Sequence, residues 1–532
     1  MAMGGTPLFI YREGTKREKG KDAKHNNIFA ARAVANAVRS TLGPRGMDKM
    51  LVSATGDIVI TNDGATIAGE MDIQHPAARM MIEVAKTMDQ ECGDGTTTAM
   101  ILAGELLKKA EDLLELNLHP TIITRGYMMA ADRALKKAEE LAMVIHFDDT
   151  ELLRKIAMTA MMSKAVSGLR EHLADVSVAA VRSIAIKKDG TADVNLDNIQ
   201  VVKRQGGSTI ETEFIKGIVL EKAPVLVSMP RMVHKGRIAI LSGSLEVKKT
   251  EVEANIRITS PDQLHAFLDA EEDMLRAMVR HIVAAGANVV VCGKGIDDLV
   301  QNALAKEGIM AIQKVNGKDL ERMAKATSGH IVDRAADLEP DDLGHASEVD
   351  VHQVEGEEMT FVKGCKDPSA VSLFIRGGTM HVVDEADRSL DDALNVVAVA
   401  LRDGKILTGG GATSVELAMD LRDYANTIGG REQLAVMAFA DALEVVPKAL
   451  AENAGMDPMD VLVELRRRHR AGARNEGVAV LHGGTADMME LGIIEPIRLV
   501  RQEISSATEV AIMVVRIDDI ILSKGGGPPH GE

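Results

Sequence analysis

Gly93-Asp94-Gly95-Thr96-Thr97-Thr98 and Gly409-Gly410-Gly411 are the two stretches of this chain whose residue types could do chemistry. Both offer backbone that can approach a phosphorylated ligand closely. The first runs into a helical pattern, Ala99 to Glu115, with Ile101, Leu102, Leu106, Leu113 and Leu114 at its apolar positions. Glycines and threonine hydroxyls then stand at a helix N-terminus, where unpaired N–H groups and the helix dipole favour an anion. Asp94 adds a hard oxygen ligand where a phosphate-bound Mg2+ would sit. No Walker-type loop with its lysine is present. For the hexamer alone, a plain turn with Thr96 as helix cap reads equally well, because caps and turns use the same residues.

Composition narrows the class. With 532 residues and 46% hydrophobic content, the chain can bury large cores in more than one domain. A net charge of −17 argues against a general nucleic-acid binder, and 2% aromatic residues leave few platforms for stacking bases. The 30 methionines suit cores or surfaces that repack. Cys92, Cys292 and Cys365 form no C-x-x-C pair, which fits a reducing cytoplasm and neither a disulfide framework nor a zinc site. Cys92 reads as a buried, inert thiol. The histidines show no metal-ligand spacing, and there is no signal-peptide pattern and no apolar run long enough for a bilayer. The basic run Arg466-Arg467-Arg468-His469-Arg470 reads as a solvated or inter-subunit face rather than a nucleic-acid patch.

Several elements must position the two glycine-rich stretches. Tyr11 to Asn27 is basic, lacks an apolar period and reads as a mobile tail. A helix follows from Ile28 to about Leu42, stopped by Gly43-Pro44. Ile58 to Thr61 reads as a strand entering a turn at Asn62-Asp63-Gly64. Helical patterns run from Pro76 to about Leu141 and return at Leu390–Ala400, Ala412–Tyr424 and Glu432–Asn453. Between them lie short apolar strands at Arg237–Gly243, Asn288–Gly293 and Gly308–Gln313, alternating with helices as in an α/β domain. Ser260-Pro261-Asp262-Gln263 is a capping box that starts a helix carrying Leu264, Phe267 and Leu268. The acidic stretch Asp269–Asp273 then interrupts the apolar period. An apolar tip projecting beyond that break, or one long helix packed along its own domain, fits the pattern. Gly525 to Glu532 reads as disordered.

Taken together these pieces resemble the group II chaperonins, in the archaeal thermosome branch. The motifs in register are Leu42-Gly43-Pro44-Arg45-Gly46-Met47-Asp48-Lys49, Thr61-Asn62-Asp63-Gly64-Ala65-Thr66-Ile67 and the Gly93–Thr98 loop. Ile375-Arg376-Gly377-Gly378-Thr379, the run Asp384 to Leu394, Gly409–Gly411 and Gly492 to Pro496 follow in the family's order. The resemblance covers nearly the whole chain. It implies a multidomain α plus α/β architecture with a discontinuous layout. Residues 1–150 and 406–532 would form a largely helical equatorial ATP-binding domain. Residues 151–218 and 370–405 would form a small intermediate hinge domain. Residues 219–369 would form an α/β apical substrate-binding domain, with a helical lid protrusion at about 254–273.

The resemblance also implies roles. Leu42, Gly43 and Pro44 would border the nucleotide. Asp94 would hold Mg2+, and Gly93, Gly95, Thr96, Thr97 and Thr98 would wrap the phosphates. Gly410 and Gly411 would lie against ribose or base, Glu495 on the ribose hydroxyls, and Ala479 and Val480 near adenine. Asp392 would activate the attacking water and Asp63 would assist; Asp392 is chosen over Asp391 because the family's acid directly precedes the Ala-Leu pair. Lys164 would sense the γ-phosphate. Without the motif, Asp392 reads as a solvated helix acid and Lys164 as a surface lysine. Leu264, Phe267 and Leu268 would meet neighbouring lids or unfolded clients. The implied function is an ATP-dependent chaperone: an ATPase with Mg2+, and K+ as a further cation, that encloses unfolded proteins in two stacked rings, eight subunits to a ring. Its lid is built in, so no separate co-chaperonin is expected, and neither is a membrane or a specific nucleic acid. The C-terminal tail lacks the family's Gly-Gly-Met repeats. Two rival readings are a small-oligomer ATP-dependent transferase using the same loops and a non-catalytic scaffold.

Overall fold

Apolar residues recurring at helical spacing, rich in alanine and methionine, build most of the core around the two glycine-rich stretches. The computed structural model of the chain describes residues 16–52, 56, 58–163, 169–188, 191–247, 261–366 and 368–522. It divides into two units: 1–145, 162–164 and 403–532 in one, 146–161 and 165–402 in the other.

In the first unit, helices Gly20–Arg39, Pro76–Cys92, Thr96–Glu115, Pro120–Leu141, Glu432–Leu443 and Ile497–Arg516 share one core. Small residues let them approach closely: a Cβ at Gly104 would lie 2.4 Å from Ala35 Cβ, and one at Gly126 2.4 Å from Ala435 Cβ. Tyr127 is fully buried and donates its hydroxyl to Leu106 O at 2.8 Å. A short strand, Lys405–Thr408, lies antiparallel between Met143–Val144 and Ile494–Pro496 and leads directly into Gly409–Gly411.

Two expectations for this unit fail. The helix read from Ile28 starts at Gly20, so residues 20–27 are not a mobile tail, and Ala23 and Asn27 are buried. Its start is set from far away in sequence: Lys16–Lys19 pairs antiparallel with Asp519–Leu522, and Gly20 N donates to Asp518 O. The single helix read over Glu432–Asn453 is two, Glu432–Leu443 and Val445–Asn453. Pro447 has no N–H and its ring crowds the carbonyl four residues back, so the chain turns at Glu444.

The second unit holds a seven-stranded sheet. Its order runs Met310–Ile312, Val289–Cys292, Met232–Leu241, Gly344–Val354, Glu357–Lys363, Ile218–Leu220, with Ile331–Val332 also on Met232–Leu241. The three strands expected from sequence run parallel, as does Ile331–Val332, and the other three add antiparallel. Helices Pro261–Ala285, Asp298–Lys306 and Gly317–Thr327 cover it, with apolar clusters of alternating strand residues on its two faces. A smaller sheet, Ile199–Gln205, Val371–Gly377 and Glu213–Ile215, lies in the same unit as helices Thr150–Ala160, Arg170–Ile184 and Met380–Asp403. The acidic stretch does not break the helix at 261–285, which is continuous. Leu275, Val279, Ile282 and Ala285 anchor its second half in the core, while residues 265–270 are exposed. Ser260 and the tail 525–532 lie outside the described residues.

Candidate functional site

The hexamer Gly93–Thr98 is both a turn and a helix start. Gly93 ends the Pro76–Cys92 helix at φ 71°, and Gly95 caps the Thr96–Glu115 helix at φ 80°. Both backbones are left-handed, which glycine adopts at least cost. Asp94 Oδ1 accepts from Gly95 N at 2.6 Å. The Asn62-Asp63-Gly64 turn packs on the same helix start, since a Cβ at Gly64 would lie 2.5 Å from Thr97 Oγ1 and 2.9 Å from Thr96 Oγ1. Asp63 caps the Gly64–Glu70 helix, its Oδ2 accepting from Thr66 N and Thr66 Oγ1, both at 2.7 Å. Asn62 donates its amide to Ser163 O, tying residue 163 to this turn.

The second glycine run reaches the first through acids. Gly410 and Gly411 have φ of 60° and 79°, and Gly411 caps the Ala412–Ala425 helix. A Cβ at Gly409 would lie 2.6 Å from Glu495 Oε1, and one at Gly95 2.9 Å from Glu503 Oε1. Burial, and then the charge of Asp94, pushes the Glu495 carboxyl up to about 7. Burial, followed by Glu495 and Asp94, holds Glu503 well above the usual carboxylate range. Asp94, Gly95, Gly409, Glu495 and Glu503 thus meet in one place. Glu503 was not foreseen: on an amphipathic helix, its sequence signature is that of any solvated glutamate. Beside this cluster, burial pushes the Cys92 thiol up to about 12, the state of an inert cysteine as expected.

The remaining sequence candidates of this unit line a neighbouring wall. Gly43 has φ 82°, and a Cβ there would lie 2.4 Å from Leu450 Cδ2. Asn453 Nδ2 donates to Leu42 O at 2.8 Å. Leu42 packs on the cluster that contains Leu450 and Val480, and Ala479 packs with Ala412 and Met488. Val478 N donates to Gly410 O at 2.9 Å, joining the strand Glu476–Val478 to the glycine run. In the basic run Arg467, Arg468 and Arg470 are exposed, as on a solvated face, and three of its arginines also hold acids. Arg466 pairs with the fully buried Glu444, Arg467 with Glu464, and Arg468 with Glu464 and Glu476.

Asp392, Phe267 and Leu268 belong to the second unit. Asp392 is half-buried on the Met380–Asp403 helix, beside an exposed Asp391. Phe267 and Leu268 are exposed, with 40% and 50% of their surface accessible. Lys164 and the side chain of Leu264 lie outside the described residues. Among the described residues, no three His, Cys, Asp or Glu side chains gather as a metal cage, and no helix is long and apolar enough to cross a membrane.

Comparison with known proteins now bears on this geometry. The TCP-1/cpn60 chaperonin family matches residues 34–525. The chain belongs to the TCP-1/cpn60 chaperonin family. It is 53% identical to a thermosome subunit of Pyrococcus abyssi over 99% of this chain and 97% of that one. It is 54% identical to thermosome subunit alpha of Archaeoglobus fulgidus over 98% of this chain and 96% of that one. Among solved structures it is similar to the open-state monomer of a group II chaperonin from Methanococcoides burtonii, with a TM-score of 0.59 and 42% identity. That likeness covers 80% of this chain and 100% of the other. This chaperonin is an ATP-dependent chaperone with ATPase activity, forms a ring oligomer and binds unfolded clients. The transferase reading has no support.

Proposed function

We propose that this chaperonin is a cytoplasmic folding chamber of two stacked rings, eight subunits to a ring, closed by a lid of its own at about 254–273 without a separate co-chaperonin. Its equatorial domain would be 1–150 with 406–532, its hinge 151–218 with 370–405, and its apical domain 219–369. The observation that carries the nucleotide site is the meeting of the Thr96 helix N-terminus with Asp94, Glu495 and the Gly409 run. Thr96, Thr97 and Thr98 would hold phosphate oxygens there by hydroxyl and helix-start N–H groups, with Gly93 and Gly95 letting the backbone come close, where the dipole of a long helix favours anions. Leu42, Gly43, Pro44, Gly410 and Gly411 form the floor, Ala479 and Val480 the base wall, and Glu495 faces the ribose hydroxyls.

The donor set is all oxygen, which suits hard cations. Mg2+ usually keeps one or two carboxylates, phosphates and water, so the lack of a protein cage among the described residues fits it, and Asp94 is its ligand. When bound it neutralises charge developing on the transferred phosphoryl group. Mg2+ on Asp94, with K+ as a further cation, would supply positive charge beside the phosphates. Asp392 orients the attacking water and accepts its proton; Asp63 assists from its turn, and Lys164 senses the γ-phosphate. Asp392→Ala should bind ATP normally and lose about 10²- to 10⁴-fold in turnover. Single-turnover hydrolysis measured beside ATP binding checks this, and unchanged hydrolysis overturns the assignment.

A further inference from the structure

His469 belongs to the basic run that the nucleotide site leaves unexplained. Its side chain is fully buried on the Pro458–Arg470 helix. Nδ1 lies 2.7 Å from Glu416 Oε1 on the Ala412–Ala425 helix, the helix that Gly411 caps. Nε2 lies 2.6 Å from the main-chain oxygen of Glu476, the first residue of strand Glu476–Val478. Both ring nitrogens therefore have an oxygen partner within hydrogen-bond distance, one on a helix and one on a strand.

The strand it grips is short and carries the proposed base wall. Glu476 is held a second time through its carboxylate, by Arg468 Nη1 at 2.9 Å and Thr485 Oγ1 at 2.8 Å. Two residues on, Val478 N donates to Gly410 O at 2.9 Å. Between them Gly477 presses on its neighbours so closely that a Cβ would lie 2.5 Å from Met488 Cγ and 2.8 Å from Gly410 O. Ala479 and Val480 follow. One imidazole ring therefore ties the helix behind Gly411 to the strand that runs into the base wall.

We infer that His469 is a positioning residue for the base side of the nucleotide pocket, fixing the Glu476–Val480 segment against Gly410 through its two hydrogen bonds. This rests on the reading of Ala479 and Val480 as the adenine wall. It predicts a defect confined to the base end of the ligand. Binding of Mg-ADP and of Mg-pyrophosphate to the assembled oligomer, by calorimetry, separates the two ends.

His469→Asn keeps a donor near Glu416 but cannot reach the Glu476 carbonyl. It should weaken ADP about tenfold and leave pyrophosphate within about twofold. His469→Gln, long enough to reach that carbonyl, should hold ADP within about threefold of the parent. ADP binding unchanged in the Asn variant, or ADP and pyrophosphate weakened alike, overturns the inference. If the Asn variant does not assemble, the Gln variant decides: a tenfold loss of ADP affinity overturns the inference, and retained affinity supports it. Val480→Ala tests the reading beneath. Unchanged ADP affinity there overturns the base wall itself; weakened ADP there beside an unchanged His469→Asn overturns His469 alone.

Discussion

Glu495 and Glu503 are both held above the usual carboxylate range beside Asp94, and folding keeps them there. Glu495 is raised in the fold from its ordinary 4.5 to about 7. Its contribution to stability is therefore complete below about pH 4.5 and is lost as pH rises through about 7. The full shift corresponds to about 3 kcal/mol. Glu503 acts in the same direction. The nucleotide-free protein should lose thermal stability from pH 5 to pH 8, and Glu495→Gln should flatten that fall and melt higher than the parent at pH 8. Parallel melting profiles for the two proteins would refute this account of the cluster. At this scale Asp94 was legible, because a Gly-Asp-Gly turn at a helix start is a local pattern. Glu503 and His469 were not, because burial and partners are properties of what packs on a residue.

Helix starts are the elements that make the site. Gly95 and Gly411 each cap a helix in the left-handed region, at φ 80° and 79°. Gly411 has no room besides: a Cβ there would lie 2.9 Å from Pro447 Cβ. Gly455, at φ 75°, has nothing within 4 Å of such an atom. Alanine in a left-handed backbone costs about 1–2 kcal/mol, and contact strain adds to it. Gly411→Ala should accordingly lower the melting temperature more than Gly455→Ala, and only the former should weaken ATP; equal effects would show that the Pro447 contact relaxes freely. Helices with a clean apolar period were readable element by element. The misread boundaries were those set elsewhere, by Asp518 and strand Asp519–Leu522 for the first helix and by a proline inside an otherwise continuous pattern for the helix at 432–453.

For the whole molecule, the hairpin Lys49–Val52 with Ile58–Thr61 is the feature a lone subunit explains least. Its register pairs Met50 with Ile60 and Val52 with Ile58, and all four are more than half exposed. An apolar, uncovered two-stranded edge is a surface for another chain. Ile58→Lys with Ile60→Lys should leave the subunit folded and shift the population from rings to smaller species, seen by electron microscopy and light scattering. Intact rings would place the subunit interface elsewhere. By itself the amino-acid order determined the helical and α/β character, the turn and helix start at Gly93–Thr98 and the spaced motifs that mark the family, because propensity, capping and motif register act over short windows. Only the tertiary structure decided that Asp94, Gly409, Glu495 and Glu503 meet in one place, that Arg466, Arg467, Arg468 and His469 face Glu444, Glu464, Glu476 and Glu416, and where the first helix begins. Those depend on desolvation and on pairing across hundreds of residues, and neither is written in local sequence.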